Sequence, residues 1–147
     1  MTLRAGYLPG IDADDVEWQT LTYDRDGQAI EVSVPLLSGE QMKDLSRRIK
    51  EASRQHLKSM AVSDITATID TAITRLLDRN DTYRQQAEEY LPLITGYDAE
   101  MIRLGLTGYL KTFRQSELRR FVAEDFVNPK ILDEFQPLPK GGYGKAF

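Results

Sequence analysis

ITGYDAEMIRLGLTGYLKTFRQSELRRFVAEDFVNPKILDEF, residues 94–135, holds three helix starts in succession. Asp98 follows Gly96-Tyr97 and precedes Met101, Ile102, Leu106, Leu110 and Phe113. Steps of three and four put these on one helical stripe. Ser116 opens a second helix, with Leu118, Phe121 and Val122 predicted inward. Asn128-Pro129 opens a third, with Ile131, Leu132 and Phe135 as its apolar side. Asn accepts from free N–H groups at a helix start, and Pro lacks an N–H that would be orphaned there anyway. Helices joined by such short links make a folded unit rather than a linker.

The same grammar extends upstream. Ser38-Gly39-Glu40-Gln41 is a capping box. Met42, Leu45, Ile49, Ala52 and His56 follow at steps of three and four, then Leu57 and Met60. The charges Lys43, Asp44, Arg47, Arg48, Lys50, Glu51 and Arg54 fill the rest of that helix and read as a solvated face. The next helix starts at Val62-Ser63-Asp64, with Ile65, Ile69, Ala72, Ile73, Leu76 and Leu77 apolar. Asp81 caps another, with Tyr83, Ala87, Tyr90 and Leu91 as its apolar positions. Pro92 predicts a kink or a stop, because its ring removes a backbone donor and clashes one turn back.

Nearer the amino end, residues 16–23 and 29–36 read as a hairpin about Asp26-Gly27. A two-residue turn sets Tyr23 against Ile30, Leu21 against Val32 and Gln19 against Val34 on an apolar face. Thr22–Glu31 and Thr20–Ser33 fall on the polar one. A lone hairpin is marginal in water, so its apolar face must lie on helices or on a surface outside the chain. Pro35 suits a sheet edge or a strand end. Residues 1–15, with Gly6, Pro9, Gly10 and Ile11-Asp12-Ala13-Asp14-Asp15, read as irregular.

Composition narrows the chemistry. The 147 residues suffice for one domain with a core. Net charge is −4, with −6 in residues 1–40 and +2 in the remainder. That balance argues against general nucleic-acid or anionic-membrane binding. There is no cysteine, so this chain holds no disulfide, thiolate metal site or Cys nucleophile. The single histidine, His56, has no acid or nucleophile placed to orient it and reads as an end-of-helix residue. Asp12, Asp14 and Asp15 lack the glycine and distal Glu of a calcium loop and read as solvated. No apolar run is long enough to span a membrane, and the first residues lack a signal-peptide core, so a cytoplasmic setting is expected.

No catalytic constellation emerges; no metal ligand is assigned, and cofactor-binding residues stay unknown. One charge cluster remains: Arg103, Lys111, Arg114, Arg119 and Arg120 against Glu100 and Glu117, +3 over residues 99–120. Lys111, Arg114, Arg119 and Arg120 could meet an anionic ligand or an acidic partner, or simply form a solvated face with helix-end charges. From Gln136 the periodicity ends. Gly141, Gly142 and Gly144 match neither the phosphate loop nor the dinucleotide fingerprint, and the segment reads as an extended connector.

Residues 91–147 resemble the amino-terminal region of the LuxC-type fatty acyl-CoA reductases. The resemblance rests on Leu93-Ile94-Thr95-Gly96-Tyr97, Met101-Ile102, Gly105-Leu106, Leu110, Leu118 and Ile131-Leu132-Asp133-Glu134-Phe135. Tyr143-Gly144-Lys145-Ala146-Phe147 is similar to that family's approach to its first cofactor-domain strand. Farther upstream, Ile65, Ile69 and Leu76 resemble it in general pattern only. The resemblance implies an aldehyde-dehydrogenase-like enzyme that takes an acyl group onto a cysteine and reduces it with NADPH to a fatty aldehyde. It implies that this chain is an incomplete enzyme, with no cofactor site of its own. The cysteine and nucleotide-binding fold would lie beyond Phe147, and no catalytic residue carries over.

The expected architecture is mainly α: a loop and hairpin over residues 1–37, about six helices over 38–135, and an extended tail over 136–147. The function expected is the non-catalytic helical portion of an NADPH-dependent acyl-CoA reductase. Its partners would be its own catalytic domain and an acyl-donating enzyme, with no nucleic acid and no membrane span. A free-standing helical protein-interaction module is the alternative. A helix-turn-helix DNA binder is disfavoured by the charge.

Overall fold

The structure, a computed structural model, describes residues 2–25 and 27–146. By internal packing the chain divides into two compact units. One is Met1–Ser59 with Ala87–Ile102, and the other is Met60–Gln86 with Arg103–Phe147. Mainly α is correct: α1 (Gly39–Gln55), α2 (Val62–Leu77), α3 (Thr82–Thr95), α4 (Ala99–Lys111) and α5 (Gln115–Asp125) are the α-helices among the described residues. The division falls within α3 and α4.

In the first unit a three-stranded sheet is built from β1 (Thr2–Arg4), β2 (Glu17–Arg25) and β3 (Gln28–Leu36), in the order β1-β3-β2. The hairpin register is as read: Tyr23 opposes Ile30, Leu21 opposes Val32 and Gln19 opposes Val34. Gly27 sits at φ +75, where a side chain would be strained. Asp26, the other expected turn residue, lies outside the described residues. The parallel strand β1 was missed, because three residues carry too little alternation. It pairs Leu3 with Val32 and makes β3 the central strand. Pro35 is therefore at a strand end, beyond the last β1 partner, where its missing N–H costs no ladder bond.

The hairpin's apolar face finds its cover within the chain. Ile30 (3% exposed) and Val32 pack on Tyr90, with Leu3, Ala5, Tyr23, Val34, Leu93 and Ile94 around them. No outside surface is needed for that face. The α3 residues Tyr90, Leu93 and Ile94 stand three and four apart, as one helical face requires. The helix runs through Pro92 rather than stopping there, and it ends at Thr95. Gly96 closes it at φ +80 and donates its N–H to the Pro92 carbonyl at 2.9 Å.

The capping box of α1 is formed. Gln41 N–H donates to Ser38 Oγ at 3.2 Å, and Ser38 N–H donates to Gln41 Oε1 at 2.8 Å. One flank of α1 is tied to the preceding loop, where Gln41 Nε2 donates to the Asp15 carbonyl and Arg48 Nη1 to that of Gly10. Asp12 is spent capping the 3-10 turn Ala13–Asp15 through the Asp14 N–H. His56 is exposed at the end of α1 and accepts the Ser59 hydroxyl through its carbonyl.

In the second unit α2 packs along α5. The start of α3 reverses one expectation. Tyr83 faces solvent at 65% exposure, and the neighbouring Arg84 is the buried residue, 1% exposed. Its guanidinium donates to the Arg103 carbonyl at 3.0 Å, to Thr107 Oγ1 at 2.9 Å and to the Leu76 carbonyl at 3.5 Å. Three oxygens from α2 and α4 converge there, a setting that suits a fork of donors and not a phenol ring. Phe121, also expected inward, is exposed and lies under the Arg120 guanidinium, 4.7 Å from the ring centroid.

The sixth expected helix is a single 3-10 turn, Pro129–Leu132. Its cap is as read, with Lys130 N–H donating to Asn128 Oδ1. The turn stops because the chain passes at once into a two-stranded antiparallel ladder, β4 (Gln136–Pro137) with β5 (Tyr143–Gly144). Gly141 and Gly142, both at positive φ, form the connection, and Ala146 N–H donates to the Ile131 carbonyl at 2.8 Å. The tail expected to be extended is folded back on the turn before it.

Candidate functional site

Within the second unit, the start of α2, the middle of α5 and the 3-10 turn enclose a cleft of about 290 Å³. Val62, Val122 and Pro129 make it apolar, and Arg119, Lys130 and Asp133 bring charge to it. The sequence explains each placement. The residue before α2, Ala61, has no side-chain acceptor to cap the helix. Asp133 takes that role from the far end of the unit, its Oδ1 accepting the Val62 N–H at 2.8 Å. A carboxylate at a helix N-terminus is favoured by the helix dipole. That bond brings the turn carrying Lys130 against α2.

A second long-range cap fixes α5 against α2. Arg114 precedes α5 and cannot cap it. Asp70, in the middle of α2, does so by accepting the Gln115 N–H at 2.8 Å. The same carboxylate binds Arg114 in a fork, with Nε at 2.5 Å and Nη2 at 3.2 Å. The Arg114 guanidinium, and after it the Gln115 N–H, hold the Asp70 carboxyl below the usual carboxylate range. Gln115 Nε2 also reaches the Ser63 carbonyl at 3.2 Å. Helix α5 therefore starts one residue before the expected Ser116, where Asp70 can meet it.

The four cations singled out from sequence meet different fates. Arg114 is held by Asp70. Arg120 is held by Glu117 and Glu124 on its own helix, at 2.9 and 2.8 Å. Arg119 lines the cleft, where Lys130 joins it. Lys111 is exposed in the last turn of α4. The cleft's acid and second cation, Asp133 and Lys130, were not singled out, since only the fold brings residues 62–66 to residues 129–133. Asp70 had a faint signal: Thr66, Asp70 and Ile73 recur at steps of four and three on the apolar side of α2.

Ser63 and Thr66 bring hydroxyls to the cleft, and the Thr66 hydroxyl donates to the Ser63 carbonyl at 3.0 Å. Two cations over an apolar floor suit an anionic group attached to an apolar body. A nicotinamide dinucleotide needs a glycine-rich turn between a strand and a helix. The residues present do not fit it: Gly141 and Gly142 turn β4 into β5, and Gly105 and Gly108 lie inside α4. No helix among the described residues is long and apolar enough to cross a membrane.

Residues 57–147 match the family model described as acyl-CoA reductase (LuxC). The match covers both long-range caps and the cleft, and it reaches back through α2. No curated protein and no solved structure matches the chain.

Proposed function

The chain belongs to the LuxC acyl-CoA reductase family, and from that premise we propose that it is the non-catalytic helical portion of an NADPH-dependent, aldehyde-dehydrogenase-like reductase. That enzyme converts a fatty acyl thioester to an aldehyde in the cytoplasm. The family match over residues 57–147 is the observation that carries the reading. Reduction of an acyl thioester through a covalent enzyme intermediate calls for a thiolate and a dinucleotide site. This chain has no cysteine, so its own work is support. It packs on the catalytic domain, shapes acyl or cofactor access, and docks an acyl-donating partner enzyme. Arg119 and Lys130 give the cleft a place for an anionic group of substrate or partner, and Lys111 adds a further exposed cation.

The test is an assay of NADPH oxidation with a long-chain acyl-CoA. The 147-residue chain alone is expected to leave NADPH unchanged. The product of the complete reading frame that contains it is expected to oxidise NADPH and release aldehyde. Turnover by the short chain would overturn the non-catalytic assignment, and an inactive complete product would overturn the reductase reading.

A further inference from the structure

The helix α1 lies outside the family match and exposes apolar side chains to solvent. None of its residues is buried. Met42 and Ile49 are 59% and 51% exposed, and Leu57 just past its end is exposed as well. The tie to the preceding loop uses Gln41 and Arg48 on one flank. The opposite flank is open and basic. At 3.6 residues per turn, Lys43, Arg47, Lys50 and Arg54 form a stripe beside Met42 and Ile49, separated from them by Ser46 and Ser53. Met42, Lys43, Ser46, Lys50 and Arg54 line a single open groove with Arg47 and Glu51. Arg47 is bound to Asp44 and Glu51. Lys43, Lys50 and Arg54 have no ion-pair partner among the described residues.

We propose that this face of α1 is a docking surface for an anionic lipid bilayer, lying in the interface plane with Met42 and Ile49 inserted and Lys43, Lys50 and Arg54 at the headgroups. Charge complementarity selects the occupant. Residues 39–59 carry six cations against Glu40, Asp44 and Glu51, a local +3 in a chain of net −4. The overall acidity does not cancel this, since charges more than a Debye length from the surface are screened. Glu51 lines the same groove but is bound by Arg47, and Asp44 is bound by Arg47 and Arg48. Strong amphipathicity with a highly charged polar face is what an interfacial helix requires. Lysine stems extend along apolar surface and deliver their charge to the headgroup layer. The face offers no Trp, Tyr or Phe to anchor a protein hot spot.

The experiment is cosedimentation of the 147-residue chain with vesicles of phosphatidylcholine alone, or of phosphatidylcholine and phosphatidylserine in equal parts. Binding is expected only to the anionic vesicles and is expected to fall as salt is raised. The exposed triple variant Lys43→Glu, Lys50→Glu, Arg54→Glu should weaken it by on the order of a hundredfold, with its helical circular dichroism unchanged. Ile49→Asp should weaken it while the salt dependence remains. Equal binding to both vesicles, no binding to either, or a triple variant that binds like the parent would overturn the proposal. So would a dimer in the absence of vesicles that Ile49→Asp disperses, since that would give the face to a second copy.

Discussion

The start of α3 offers a reciprocal test, because periodicity alone puts Tyr83 inside and Arg84 outside while the structure does the reverse. Truncating Arg84 to Ala removes donors from the Leu76 carbonyl, the Arg103 carbonyl and the Thr107 hydroxyl. The Leu76 carbonyl lies in the last turn of α2 and has no intrahelical N–H to turn to. An unmet buried acceptor costs about 1–3 kcal/mol, and the space left by the stem adds a cavity penalty. The unmet acceptors and the cavity together are expected to cost about 3–5 kcal/mol. With a urea m-value of about 2 kcal/mol/M, the unfolding midpoint of Arg84→Ala should fall by about 2 M. Tyr83→Ala, at an exposed site, should stay within about 0.5 kcal/mol of the parent. The assay is urea unfolding followed by far-ultraviolet circular dichroism. A Tyr83→Ala loss larger than the Arg84→Ala loss would refute the burial of Arg84.

Three further perturbations probe other parts of the chain. Ile30→Ala removes a buried side chain from the sheet–helix core and should cost about 2–5 kcal/mol in the same urea assay; a loss under about 1 kcal/mol would show that the hairpin face is not packed as described. Gly96→Ala puts a Cβ at φ +80 and within 2.0 Å of Arg25 Nη1. It should destabilise by about 1–3 kcal/mol, and Arg25→Ala in the same chain should restore only the steric part, leaving the backbone strain visible in the melting temperature. Asp70 has its folded-state pKa depressed by Arg114 first and by the Gln115 N–H second. Its stabilising contribution is therefore complete above the unfolded value near 4 and is lost as pH falls through the lower folded value. Asp70→Asn should flatten the fall in melting temperature below about pH 4; an acid limb identical to the parent's would contradict the pairing.

What could be read from sequence is what local chemistry decides. The hairpin register about Gly27 is as read, and Ser38, Asp81, Asp98 and Asn128 each cap an element as expected. What could not be read depends on residues far apart. Strand β1 exists because β3 has a free edge, which three residues cannot announce. Arg84 is buried because oxygens from α2 and α4 converge on it, and no pattern within α3 encodes those oxygens. The sixth helix fails because the tail turns at Gly141-Gly142 and pairs back, a stop set by glycines ten residues away. The cation cluster shows both cases. Arg120 lies three and four residues from Glu117 and Glu124, so its pairing was legible. Arg114 pairs with Asp70, and Arg119 and Lys130 line one cleft, neither of which a helical spacing reveals.

The most direct measurement is the sequence of the reading frame past the codon for Phe147. The family assignment predicts that the frame continues for several hundred codons, with a dinucleotide-binding strand–turn–helix and then a cysteine to carry the acyl group. A stop codon directly after Phe147 would contradict the claim that these helices are one portion of an acyl-CoA reductase.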